Sequence, residues 1–240
     1  MKRAILYLCL GIFIALVVQP NLKMKLHSDT VRVPDVSNSQ PTTNDEASIQ
    51  KCESHAKIGI DAAHGGDDYG YMGTDQIPEK EINLALALNI GRKLEMYGYD
   101  VVYTRQSDRI ESSDTEQNEN AQRLAKLKAE KVDYILRISM SNDIDTFKKG
   151  YVIFTQPSEP ISSLSKQIAN ELDLINFSIC EGVDSDHYAN FPILNDKDLP
   201  AISLQLGYLT NREDYSKLTD TSYQEKIGQA ITNAFLKVIN

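Results

Sequence analysis

Apolar residues recur along this chain with two periods that interleave. Ile58 to Asp61 form a short apolar, strand-compatible run, of the length expected for a buried strand. From Glu79 to Tyr97 the period changes. Ile82, Leu86, Ile90 and Leu94 recur at near-helical spacing, Leu84 and Leu88 widen the face, and Gly98 stands where a helix would stop. Further strands are predicted at 100–104, 133–139, 150–156, 191–194 and 200–206. Helices are predicted at 118–131, 161–174, 211–218 and 223–238, the last carrying Ile227, Ile231, Ala234 and Val238 on one side. Residues 107 to 120 are polar and read as an exposed excursion. Strands alternating with helices imply one α/β domain, a largely parallel twisted sheet of about six strands with helices on both faces. There is no internal repeat and no second domain.

The first fifty-odd residues break this pattern. Lys2 and Arg3 precede an apolar run from Ala4 to Val18, which has the length of an export signal and is short for a full membrane span. No clear small-residue cleavage site follows, so residues 1–20 read as an export signal or N-terminal membrane anchor. Residues 21–55 hold Pro34, Pro41 and many polar residues without apolar periodicity, the composition of a disordered linker. Residues 56–240 are then an extracytoplasmic domain, touching the membrane only through the N-terminal segment. Cys52 and Cys180 could pair in an oxidising compartment; two unpaired thiols fit the sequence equally. The net charge of −9 argues against nonspecific nucleic-acid binding. With no Trp in the chain, a Trp-lined sugar platform is absent.

The chemistry gathers just after the first predicted strand, in KIGIDAAHGGDDYGYMG (57–73). His64 stands at the C-terminal end of that strand, the edge at which open α/β sheets place their sites. Glu79 opens the first helix. A histidine and a glutamate so placed are half of a metal site. They also fit a core histidine and a helix-start carboxylate favoured by the macrodipole.

The run His64-Gly65-Gly66-Asp67-Asp68-Tyr69-Gly70, then Gly73, Glu79-Lys80 and Asn83-Leu84 resembles the zinc-dependent N-acetylmuramoyl-L-alanine amidases, hydrolases of the cell wall. Thr104-Arg105 with Asp108, Arg123, Pro200-Ala201, Leu206-Gly207-Tyr208-Leu209 and Asn211 follow in the same order, so the resemblance covers roughly 57 to 240. It implies an α/β domain that cleaves the amide between N-acetylmuramic acid and L-alanine in peptidoglycan. It implies zinc on His64, Glu79 and a third histidine that ends the third strand, with a glutamate general base near the end of the strand that begins Pro200-Ala201.

Two positions depart from that pattern. The third ligand falls on Ser139, and a neutral hydroxyl is a poor zinc ligand. Sliding by one places Met140 there, whose thioether suits copper(I) better. The general base falls on Gln205, which cannot accept a proton at neutral pH. Arg137 lies on the same strand face as Ser139, where its charge would repel Zn²⁺. It is placed either to pair with Glu79 or to reach past the site to solvent. His187 and His55 are the remaining candidates for a substitute ligand. The sequence therefore leads to a peptidoglycan protein of this family with impaired catalysis, weak or absent zinc, and a binding or regulatory role, with another cell-wall enzyme as a candidate partner. The alternatives are an active zinc amidase with an unusual third ligand, and an adhesin or scaffold unrelated to peptidoglycan.

Overall fold

The computed structural model describes residues 55–73, 75–109, 116–187 and 191–239. The expected export segment, the linker up to residue 54, Cys52 and residues 110–115 of the polar excursion lie outside them. No helix among the described residues is long and apolar enough to cross a membrane.

The described residues form one six-stranded sheet. In chain order its strands are β1 (Lys57–Ala62), β2 (Asp100–Tyr103), β3 (Tyr134–Ser141), β4 (Tyr151–Thr155), β5 (Cys180–Asp184) and β6 (Ala201–Tyr208). Their order across the sheet is β2-β1-β3-β6-β4-β5. Every neighbouring pair is parallel except β4 with β6, which is antiparallel. The helices are α1 (Glu79–Met96), α2 (Glu116–Ala129), α3 (Ile161–Leu174), α4 (Arg212–Thr219) and α5 (Thr221–Val238).

The alternation of side chains across the strands sorts them into two unlike faces. Ile58 and Ile60 of β1, Leu136 and Ile138 of β3, and Ile202 and Leu204 of β6 point to one face, where α1, α3 and α4 pack and α5 fills the gap between them. The opposite face begins apolar. Ile135 and Ala201 meet Leu127 of α2 with Val132, Ile193 and Leu199. Toward the C-terminal edge of the strands that second face turns polar, with Asp61, Arg137, Ser139, Ser203 and Gln205 in the alternate positions.

Local chemistry explains the helix ends. Asn211 caps α4, its Oδ1 accepting from the N–H groups of Glu213 (3.0 Å) and Asp214 (3.2 Å). Asp220 caps α5 through the N–H of Tyr223 (2.8 Å). Beyond α1, Gly98 adopts φ +89°, the left-handed stop expected of it.

Two expectations are corrected. The run 191–194 is a 3-10 turn, Pro192–Leu194, not a strand. Pro192 has no N–H to give a ladder and its φ suits the turn. The sixth strand is instead β5, Cys180–Asp184, at the sheet edge. Its sequence CEGVD lacks the β-branched and aromatic enrichment that marks strands. In addition, α2 begins at Glu116, inside the stretch expected to be an exposed loop.

Candidate active site

Strands β1, β3 and β6 run parallel, so their C-terminal ends meet at one edge. The chain leaves β1 through Ala63 into His64, which holds φ +61°. A left-handed conformation at a non-glycine residue costs about 1–3 kcal/mol and persists only where the surroundings impose it. Here they do. Arg123 Nη2 donates to the His64 carbonyl (2.7 Å), and Gly65 and Asp68 exchange backbone hydrogen bonds (2.9 and 3.1 Å). Gly66 N donates to the backbone and side chain of Asp108, which also binds the ammonium of Lys80 (2.7 Å).

This turn aims the imidazole. His64 Nδ1 lies 2.6 Å from Asp68 Oδ2, and Nε2 lies 3.4 Å from Glu79 Oε1. Gly70 packs directly on the pair. A Cβ there would fall 2.8 Å from both Glu79 Cβ and His64 Cδ2, at φ +63°. Glu79 is buried with its oxygens engaged. Oε1 accepts from Met140 N (2.9 Å) and Asn83 Nδ2 (3.3 Å), and Oε2 from Tyr71 N (3.2 Å). Burial pushes the Glu79 carboxyl upward, but His64 and the two backbone N–H groups outweigh it and the pKa is lowered. Burial pushes His64 down, and Glu79 and Asp68 outweigh that, so its pKa is raised.

A second cluster lies under the same edge. Asp61 is completely buried in β1 and faces its register partner Arg137 of β3. Arg137 Nη1 binds Asp61 Oδ2, and Arg123 Nη1 binds Oδ1 at 3.0 Å, joined by Thr104 Oγ1 at 2.8 Å. Burial raises the Asp61 pKa, but Arg137 and Arg123 overcome it, and the carboxyl is lowered to about 2. Arg137 was expected either to pair with Glu79 or to reach solvent. The structure pairs it with Asp61, because register sets those two residues side by side on one face while Glu79 is held from above by Met140 and Tyr71.

Ser139 is buried and its Oγ donates to the Leu204 carbonyl (3.1 Å). Its register partner is Gln205, whose Oε1 accepts from Ser141 Oγ (3.0 Å). Beyond this pair β6 carries one extra residue relative to β3: Ser139 faces Gln205, while Ser141 faces Tyr208. Met140 N lies on the β1 side of β3, where Ala63 N binds Ile138 O and β1 has ended, and there it donates to Glu79.

All five residues singled out in the sequence, His64, Glu79, Arg137, Ser139 and Gln205, line one cleft of about 560 Å³. Phe191, Pro192 and Ile193 form an apolar wall of it. The two histidines weighed as substitute ligands lie elsewhere. His187 is exposed and pairs with Asp184 (2.8 Å). His55 stacks on Tyr99 at the N-terminal end of β1. Among the described residues no group of three His, Cys, Asp or Glu side chains is placed to hold a metal ion. A catalytic zinc takes three protein ligands. The ligand set that the resemblance implies is His64, Glu79 and the position of Ser139, and the last offers a neutral hydroxyl that donates to Leu204 O. This donor set does not fit a tightly held zinc.

Sequence reasoning missed Asp61, Asp68 and the 3-10 turn as parts of the site. Asp61 left a signal: a carboxylate in the apolar run KIGIDA and an arginine in YILRIS are opposite charges in two buried strands, and buried charges need partners.

Residues 58–237 match the protein family described as N-acetylmuramoyl-L-alanine amidase. The chain is 29% identical over 177 residues to the uncharacterized protein YqiI of Bacillus subtilis (strain 168), covering 72% of this chain and 80% of that one. It is 28% identical over 177 residues to the N-acetylmuramoyl-L-alanine amidase LytC of the same strain, covering 72% of this chain but only 34% of LytC. Its fold is similar to that of the CwlD amidase from Clostridioides difficile, solved in complex with the GerS lipoprotein. The TM-score is 0.65 at 28% identity, over 76% of this chain and 98% of that one.

Proposed function

The chain belongs to the N-acetylmuramoyl-L-alanine amidase family, and from that premise we propose a peptidoglycan-binding or regulatory protein whose amide hydrolysis is impaired. The observation that carries this reading is the hydrogen bond from Ser139 Oγ to Leu204 O. It commits the third ligand position to the backbone of the neighbouring strand. Gln205 supports it, since a carboxamide at the general-base position takes no proton at neutral pH. Arg137 adds a cation to the same cleft, which opposes a second cation there.

In this reading residues 1–20 export or anchor the chain, 21–55 tether it, and 56–240 work outside the cytoplasm against the wall. A reporter fused after Asn240 tests the topology; one active only in the cytoplasm would overturn it. The GerS complex of CwlD suggests a protein partner here too, and another cell-wall enzyme is the candidate.

One observation favours a second reading, an active zinc amidase. His64 is oriented by Asp68 through Nδ1 with Nε2 turned to Glu79, as metal-binding histidines are oriented by carboxylates. Zinc content and muropeptide release decide between the two. The expected result is zinc lost on dialysis and no release from purified peptidoglycan. Recovery of about one tightly held zinc per chain together with release would establish the enzyme instead.

A further inference from the structure

We propose that Arg137 and Gln205 form a carboxylate-binding subsite in this cleft, which takes an acidic peptide. The inference rests on the peptidoglycan reading and names the part of that polymer engaged, the acidic groups of its peptide stems. It starts from which polar atoms are spent and which are free. Arg137 uses Nη1 for Asp61 and for Asn120 Oδ1 (3.4 Å). Its Nε and Nη2 have no hydrogen-bond partner among the described residues, and neither is sealed from solvent. Those two N–H groups form one edge of the guanidinium, the edge that binds a carboxylate through two parallel hydrogen bonds. Asp61 fixes the guanidinium without neutralising it alone, because it is shared with Arg123. Glu119 approaches Arg123 (3.8 Å).

Gln205 points the same way. Its Oε1 is taken by Ser141, and its Nε2 has no partner among the described residues. The other carboxylate of the cleft, Glu79, has its oxygens occupied by Met140, Asn83 and Tyr71 and faces His64. The acceptors of Glu79 and Gln205 are thus used while the Arg137 edge and Gln205 Nε2 remain, a pairing of donors that suits an anionic acceptor. The wall of Phe191, Pro192 and Ile193 suits the aliphatic part of a peptide, and about 560 Å³ is within the range of ligand pockets.

The test is calorimetric titration of the full chain with L-alanyl-D-glutamate and with the same dipeptide amidated at its carboxyl groups. The wild type should favour the acid by about 10-fold or more, the scale of a hydrogen-bonded charge. Arg137→Gln should abolish that preference and Arg137→Lys should retain part of it. Equal affinity of the wild type for acid and amide would overturn the proposal, and so would an undiminished preference in Arg137→Gln. The wild-type comparison stands even where a variant fails to fold. Sedimentation with purified peptidoglycan separates the two readings. A chain that sediments but shows no acid preference loses the subsite and keeps the proposed function. A chain with the preference that does not sediment keeps the subsite and loses the wall as its source.

Discussion

The two faces of the central sheet obey the same alternation and reach opposite chemistry. On the helix-rich face, Ile58, Ile60, Ala62, Leu136, Ile138, Met140, Ile202, Leu204 and Leu206 are all at most 5% exposed. Full burial of a large apolar side chain stabilises by about 1.5–3 kcal/mol relative to exposure, and none of these nine strand side chains needs a hydrogen-bond partner. On the other face the same three strands carry Asp61, Arg137, Ser139, Ser203 and Gln205 among few apolar residues. Buried ion pairs of this kind roughly break even against apolar packing, because desolvation offsets attraction. The first face therefore holds the fold together. The second converts that rigidity into position, keeping a guanidinium, a hydroxyl and a carboxamide at one edge beside His64 and Glu79.

This contrast can be broken from the polar side with the largest effect. Combining Ser139→His, Gln205→Glu and Arg137→Ser should restore a third ligand and a base and remove the competing cation. Release of peptide stems from peptidoglycan should rise from background, general-base help alone being worth about 10²–10⁴-fold. Ser139→His alone should raise zinc affinity with little turnover, and Gln205→Glu alone should do neither. In the triple variant Asp61 keeps Arg123 and Thr104 as partners, so the fold should survive. A wild type already as fast as the triple variant would refute this account.

Next in size is Asp61→Ala. It strands Arg123 and Arg137 without their shared carboxylate, and breaking a buried pair from one side costs about 3–5 kcal/mol. Chemical denaturation should show that loss. A loss below about 1 kcal/mol would mean that water replaces the carboxylate.

Acid should act through the same residue. Its folded pKa is lowered from 3.8 to about 2, so its stabilisation is present above the unfolded value and disappears as pH falls from about 4 toward 2. The amount is roughly 2 kcal/mol. Denaturant midpoints taken across that range should fall more steeply in the wild type than in Asp61→Asn; parallel curves would remove Asp61 from the explanation. The smallest effect belongs to the apolar face. Ile138→Val should cost about 0.5–1.5 kcal/mol and leave peptide binding unchanged, and a variant that alters binding would show the two faces to be coupled.

Most elements were legible because periodicity reports burial. The helix at 79–96 and the strands in the middle of the sheet emerge from apolar spacing. Edge elements did not. β5 buries little, so its sequence carries little pattern, and Pro192 sits in an apolar stretch that reads as a strand until its missing N–H is considered. The candidate site was legible as a set of residues, since motif spacing places His64, Glu79, Ser139 and Gln205 at strand and helix ends, and all of them do line one cleft. Their partners were not legible.

By itself the sequence determined an α/β alternation, a histidine after the first strand and a glutamate opening the first helix, and a serine and a glutamine near the ends of two later strands, because these depend on residue identity and on short-range spacing. Tertiary structure alone decided that Arg137 belongs to Asp61 and not to Glu79. It also decided that Ser139 gives its proton to Leu204, and that Met140 N, on the β1 side of β3 past the end of β1, binds Glu79. The physical reason is register. Which charges and hydrogen-bonding groups face each other across neighbouring strands depends on how residues far apart in the chain are aligned, and a shift of one residue would turn each of these side chains to the other face.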